Sequence, residues 1–81
     1  MLIPRPDTEI VVEKILELTK NKQSLNFLDI GVGSGCIILS ILREKKNFYG
    51  TGIDISKKSL EICKINSVNL KVFNRLKLIK S

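Results

Sequence analysis

The chain has no histidine and no tryptophan, only two cysteines, two prolines and four aromatic residues. Without histidine, and with Cys36 and Cys63 far apart, neither a metal-ligand set nor a Cys-pair redox motif is present. Both cysteines sit on apolar patterns inside expected helices and read as small core residues of a cytosolic protein, not as a disulfide. No run approaches the roughly 18 apolar residues of a membrane span. The start, Met1-Leu2-Ile3-Pro4-Arg5-Pro6, lacks the long apolar segment and small-residue cleavage site of a secretory signal, so a cytoplasmic location is expected. Arginine and aromatics are scarce as well. A net charge of +6 therefore reads as a lysine-rich solvated surface, denser after Lys57, and not as a nucleic-acid footprint. At 81 residues the chain holds one domain at most, with a marginal core.

Glycine is also sparse, with five residues, but three of them alternate at Gly31, Gly33 and Gly35. They follow the apolar run Phe27-Leu28-Asp29-Ile30 and precede the apolar run Cys36 to Leu42. That is a strand, a tight glycine loop and a helix, the way doubly wound sheets build a cofactor crevice. Glycines there let the backbone turn sharply and approach a ligand with no Cβ between them. The spacing is G-x-G-x-G, with Cys36 beyond it, so the dinucleotide fingerprint G-x-G-x-x-G is not met. A second strand-like run, Phe48 to Ile55, carries Asp54, 19 residues after Gly35. An acid at the end of the second strand of a nucleotide-binding βαβ unit accepts hydrogen bonds from the ribose hydroxyls. A carboxylate suits the task because it only accepts and can serve both hydroxyls.

Periodicity fills in the rest. A Pro-bounded lead precedes a helix capped at Asp7 or Thr8 and running to about Lys20, with Val11, Val12, Ile15 and Leu16 as its apolar face. Glu9 and Glu13 suit its start, and Lys20 and Lys22 its end. Strands are expected at Asn26–Ile30, Asn47–Ile55 and Arg75–Lys80. Helices are expected from Ser34 to about Lys46 and, capped by Ser56, through about Val68, the latter packing Leu60, Cys63, Ile65 and Val68. The order is a helix followed by βαβαβ. Right-handed crossovers make this a parallel α/β sheet in the order 3-2-1, half of a doubly wound fold. The first strand then has an unpaired edge, and the apolar second helix is expected to lack part of its cover.

Ile3-Pro4-Arg5-Pro6-Asp7-Thr8-Glu9, then Leu28-Asp29-Ile30-Gly31-Val32-Gly33-Ser34-Gly35, then Ile53-Asp54-Ile55-Ser56, closely resembles the release factor glutamine methyltransferases. The resemblance runs from Leu2 to Ser81, with Asp7 where the family's I-P-R-P-E-T-E segment has Glu. It implies a partial Rossmann-like, class I S-adenosylmethionine-dependent methyltransferase domain over residues 1–81. The implied reaction is methylation of the Gly-Gly-Gln glutamine of a peptide release factor. Carried onto this chain, the cofactor-binding residues are Gly31, Gly33, Gly35 and Asp54. Asp29, Arg5 and Thr8 line the same pocket, and Ile55 lies beside the adenine.

The family's Asn-Pro-Pro-Tyr motif, which holds the target amide, is absent, since the only prolines are Pro4 and Pro6. The family's helical substrate-recognition domain is absent too. No catalytic residue is therefore assigned, and the chain alone is expected to be inactive: a fragment that lacks the C-terminal half of the cofactor domain. Two other readings stand beside this one. One is a fragment of a nucleic-acid amino-methyltransferase. The other is a non-catalytic remnant, or a half-domain that works with a separately encoded C-terminal half.

Overall fold

The computed structural model describes residues 6–81, with side chains from Glu9 onward. The lead segment, including Arg5, and the side chain of Thr8 lie outside the described residues. The elements are α1 (Pro6–Leu18), β1 (Leu25–Ile30), α2 (Cys36–Glu44), β2 (Phe48–Asp54), α3 (Lys57–Asn69), a 3-10 turn at Phe73–Arg75, and β3 (Leu76–Lys80). The sheet is parallel, in the order β1-β2-β3, as the alternation of strand and helix patterns requires. Its register aligns Ile30 with Ile53 and Ile53 with Ile79, which brings the carboxyl ends of all three strands to one rim.

Every second strand residue packs into one core. Leu25 and Phe27 of β1, Phe48 of β2, and Leu76 and Leu78 of β3 meet Val12, Ile38, Leu39, Ile41, Leu42, Cys63 and Val72. Phe27 and Phe48 stand edge to face, with ring centroids 6.4 Å apart, a geometry that ring quadrupoles favour. Gly50 leaves room for Ile38 and Phe27, and a Cβ there would lie about 3 Å from each. The alternate residues, Leu28, Ile30, Tyr49 and Ile79, are exposed. Among the described residues the helices thus cover one face of the sheet and leave an apolar opposite face bare.

This differs from the expectation in one respect. The second helix was expected to lack cover, yet Ile38, Leu39, Ile41 and Leu42 are essentially fully buried. Helix α2 packs against both α1 and β2, which buries these four residues, and the missing cover falls mainly on the sheet's other face.

The ends of elements differ in instructive ways. Helix α1 starts at Pro6, ahead of the expected cap, because proline suits a first turn whose N–H groups need no partner. It stops at Leu18, where the Thr19 hydroxyl donates to the Ile15 carbonyl at 2.8 Å, so Lys20 and Lys22 lie beyond it and Val11 is exposed. Helix α2 starts two residues late, after Gly35 has turned the chain through a left-handed φ of 93°. Helix α3 is capped by Ser56 as expected, with the Ser59 N–H donating to its hydroxyl. Its inward residues are Cys63 and Ser67, however, and Ile65 and Val68 are 60% and 54% exposed. Lys71 takes the left-handed conformation just past α3, with Lys71 N–H on the Val68 carbonyl and Val72 N–H on that of Ser67, a Schellman ending that buries Val72.

Arg75 makes the longest-range polar link. Its guanidinium donates to the carbonyls of Leu42 at 2.7 Å, Lys45 at 2.8 Å and Phe48 at 3.0 Å. It thereby closes the negative end of α2 and the entry to β2 from the start of β3. Arg75→Ala is expected to lower stability by about 1.5–3 kcal/mol, the range for hydrogen bonds to a charged group. Chemical denaturation of the 81-residue chain measures it. An unchanged midpoint would show that these bonds contribute nothing net.

Candidate functional site

The site lies at the carboxyl rim of the sheet, where parallel α/β folds place their ligands. Leaving β1, the chain makes the loop Gly31-Val32-Gly33-Ser34-Gly35, with all three glycines at positive φ, at 73°, 58° and 93°. The Ile53 carbonyl, at the end of the neighbouring strand, accepts from Gly31 N–H at 2.7 Å and Val32 N–H at 3.1 Å. Gly35 N–H returns to the Val32 carbonyl at 3.1 Å. The loop is therefore pinned to β2 before α2 begins.

The three glycines serve two purposes. A Cβ on Gly31 or Gly33 would meet nothing within 4 Å, so the space above them is open. A Cβ on Gly35 would fall 2.6 Å from the Cys63 sulfur and 2.9 Å from Leu39, so Gly35 is there for packing. The Val32 side chain is buried and packs beside Gly52, locking the loop down from below.

Asp54 joins the two halves of the rim. One carboxylate oxygen accepts Gly33 N–H at 2.9 Å, and the other accepts Ser56 N–H at 2.8 Å. These bonds, that of Ser56 first, hold its carboxyl below the usual carboxylate value, so it is ionised throughout the neutral range. Each oxygen keeps a further lone pair, which leaves capacity for hydroxyl donors from a ligand. Ile55, next in the chain, is 81% exposed, an apolar side chain standing free beside the acid.

Asp29 lies under the loop on the helix-facing side of β1. It borders a cleft of about 210 Å³ together with Ile15, Phe27, Leu28 and Ile37. Partial burial raises its pKa above the ordinary 3.8. Burial, and then the charge of Asp29, push the nearby Cys63 thiol up to about 11, which leaves it an unreactive core group. Cys36 departs from the expected core role: it is only half-buried, at the first turn of α2 beside the Ser34 hydroxyl.

The structure thus brings Gly31, Gly33, Gly35, Asp29, Asp54 and Ile55 to one rim, whereas Arg5 and the Thr8 side chain fall outside the described residues. Sequence reasoning missed Asn66, whose side-chain amide donates to the Ser34 carbonyl at 3.2 Å. The available signal was an amide three positions after an inward cysteine on α3. Among the described residues no cluster of His, Cys, Asp and Glu is placed to hold a metal ion, and no helix is long and apolar enough to cross a membrane.

No family model matches the chain. Individual relatives do. The chain is 38% identical over 79 residues to a release factor glutamine methyltransferase of Caulobacter vibrioides, covering 98% of the chain and 27% of that protein. It is 47% identical over 73 residues to the protein of the same name from Buchnera aphidicola subsp. Schizaphis graminum, covering 90% and 26%. A bifunctional methyltransferase of Rickettsia prowazekii is 33% identical over 99 residues, covering all of this chain and 19% of that protein. The chain spans about a quarter of the length of these release factor methyltransferases.

Among solved structures, an S-adenosylmethionine-dependent methyltransferase of Thiobacillus denitrificans in complex with S-adenosylhomocysteine superposes with a TM-score of 0.77 at 26% identity. That match covers all of this chain and 32% of the other. An RNA methyltransferase of Salinibacter ruber, also with S-adenosylhomocysteine, gives a TM-score of 0.74 at 25% identity, covering 98% and 50%.

The raised pKa of Asp29 has a pH consequence. A carboxyl whose pKa rises on folding disfavours the folded state once it ionises, so its cost is absent below 3.8 and complete above its raised folded value. Asp29→Asn is therefore expected to stabilise the chain at pH 7, with the difference vanishing below pH 3.8. Denaturation curves of both proteins at the two pH values check this, and a variant less stable at pH 7 would show that the charged carboxylate is favoured where it sits.

Proposed function

We propose that the glycine loop and Asp54 bind S-adenosylmethionine for methylation of the Gly-Gly-Gln glutamine of a peptide release factor. Over nearly its whole length the chain is similar to the release factor glutamine methyltransferases, and its described fold is a partial Rossmann-like S-adenosylmethionine-dependent methyltransferase fold. The observation that carries this is the pairing of open space above Gly31 and Gly33 with a spare-capacity carboxylate at Asp54, all on one rim. Gly31 and Gly33 let the methionine part of the cofactor lie against bare backbone. Asp54 accepts from the ribose hydroxyls, Ile55 covers the adenine, and Asp29 with the Arg5–Thr8 segment lines the same pocket. The bound cofactor supplies a sulfonium methyl group.

The glutamine reading is favoured over a nucleic-acid acceptor by sequence. Identity is 38–47% to relatives named for release factor glutamine methylation, against 25% to the RNA methyltransferase that shares the fold. A release-factor acceptor also implies a cytoplasmic location. We further propose that the bare sheet face and the free edge of β1 are completed by the remainder of a methyltransferase domain, in the same chain or a separate one. The exposed Leu28, Ile30 and Ile79 are what such a remainder would cover.

Two outcomes are expected. Titration of S-adenosylhomocysteine into the chain, followed by NMR, shifts the amides of Gly31, Gly33, Gly35 and Ile55. Asp54→Ala weakens that binding about tenfold or more, since a charged acceptor of the ligand's hydroxyls is lost. Saturating ligand with no shift at the loop would overturn the cofactor reading. Secondly, the 81 residues alone transfer no methyl to a Gly-Gly-Gln peptide. An amide nitrogen is a poor nucleophile whose placement is most of the catalysis, and the Asn-Pro-Pro-Tyr motif that would place it is not in this sequence. Mass spectrometry of the peptide against a no-protein control decides this.

A further inference from the structure

Building on the reading that the glycine loop receives the cofactor, we propose that Asn66 is a positioning residue: from α3, its side-chain amide holds the Ser34 carbonyl and fixes the loop in its binding shape. Four of the five loop residues are held through their own N–H groups: Gly31 and Val32 by Ile53, Gly33 by Asp54, and Gly35 by Val32. Ser34 is the fifth. It lies between Gly33 and Gly35, two residues that accept either sign of φ, so its rotation is opposed by little steric hindrance. Its carbonyl is the handle, and the Asn66 amide nitrogen grips it at 3.2 Å across 32 positions of sequence.

Helix α3 is built for this grip. Cys63 and Asn66 are three apart, hence neighbours on one helix face. Cys63 packs its sulfur against Gly35, and Asn66 bonds to Ser34, so two consecutive loop residues are held by two consecutive turns of one helix. Ser67, also inward, satisfies itself on the Lys64 carbonyl and lets α3 lie close. This use of the inner face explains why Ile65 and Val68, expected in the core, are turned outward. On that face Leu60 is joined by a small thiol, an amide and a hydroxyl where an ordinary amphipathic helix would carry more leucines.

Asn66→Asp keeps the shape and replaces the donor with oxygen facing oxygen. In the full 81-residue chain, hydrogen exchange of the Gly33 and Gly35 amides is expected to quicken about tenfold while that of the β2 amides keeps its rate. Affinity for S-adenosylhomocysteine, measured by equilibrium dialysis well below the unfolding transition, is expected to fall about tenfold. A merely structural residue would instead raise exchange throughout the chain in step, and that result, or an unchanged loop, would overturn the proposal. If Asn66→Asp does not fold, Asn66→Ala removes the donor without adding charge and is judged by the same readouts. A loosened loop in the variant, with no S-adenosylhomocysteine binding by the unsubstituted chain, would uphold the grip of Asn66 on the loop and overturn the cofactor reading.

Discussion

The carboxylate of Asp54 is the interaction on which the rim depends. It ends β2, yet it bonds forward to Ser56 and back across the sheet to Gly33. The forward bond fixes the turn into α3, where Ser56 serves as the cap. The backward bond fixes the middle of the glycine loop and hence the approach to α2. A charged acceptor taking two N–H groups is stronger than a neutral one and stays ionised well into acid, so the joint holds across the neutral range. Two helices and two strands are thus set relative to one another by one side chain. The same side chain keeps lone pairs free on the rim, so whatever it can accept there depends on the same geometry that sets the fold.

The glycines show how a loop can be both tight and vacant. Gly31 and Gly33 are needed for their backbone angles and leave open space, whereas Gly35 is needed because Cys63 and Leu39 fill the volume where a side chain would go. Gly50 and Gly52 repeat the second pattern inside β2, admitting Ile38, Phe27, Val32 and Leu78 against the strand backbone. A sheet normally loses stability with glycine in a central strand. In this one, two glycines bring α2 and the loop closer to β2 than any side chain would allow, and the close approach puts the rim residues within hydrogen-bond reach.

Much of this was legible in the sequence, for a physical reason. Strands and helices alternate with distinct periods, the glycines fall at alternate positions, and Asp54 falls at the end of its run, so element order, parallel pairing and the rim constellation follow from local pattern. What was not legible depends on partners far away in the chain. Arg75 reads as one more surface cation until the sheet brings it to the end of α2. Asn66 reads as a helix-surface amide until α3 lies across the loop. Ile65 and Val68 read as core because periodicity assumes that an inward face is apolar, and here Cys63, Asn66 and Ser67 share it with Leu60. Helix α2 reads as under-covered because an apolar run says nothing about which neighbours will reach it.

That last error points to the asymmetry of the molecule. An α/β sheet needs a layer on each face, and here all the described helices are spent on one. The consequence for energetics is that core and site belong to the same side. Leu39 and Cys63, which pack against Gly35, and Val32 within the loop are all buried members of that core. The opposite face, with Leu28, Ile30, Tyr49 and Ile79, contributes nothing to the rim and is free to be matched by whatever layer accompanies it. The geometry of the rim is thereby fixed from the helix side of the sheet. The division runs along the sheet itself: one face organises the loop, and the other is bare and apolar among the described residues.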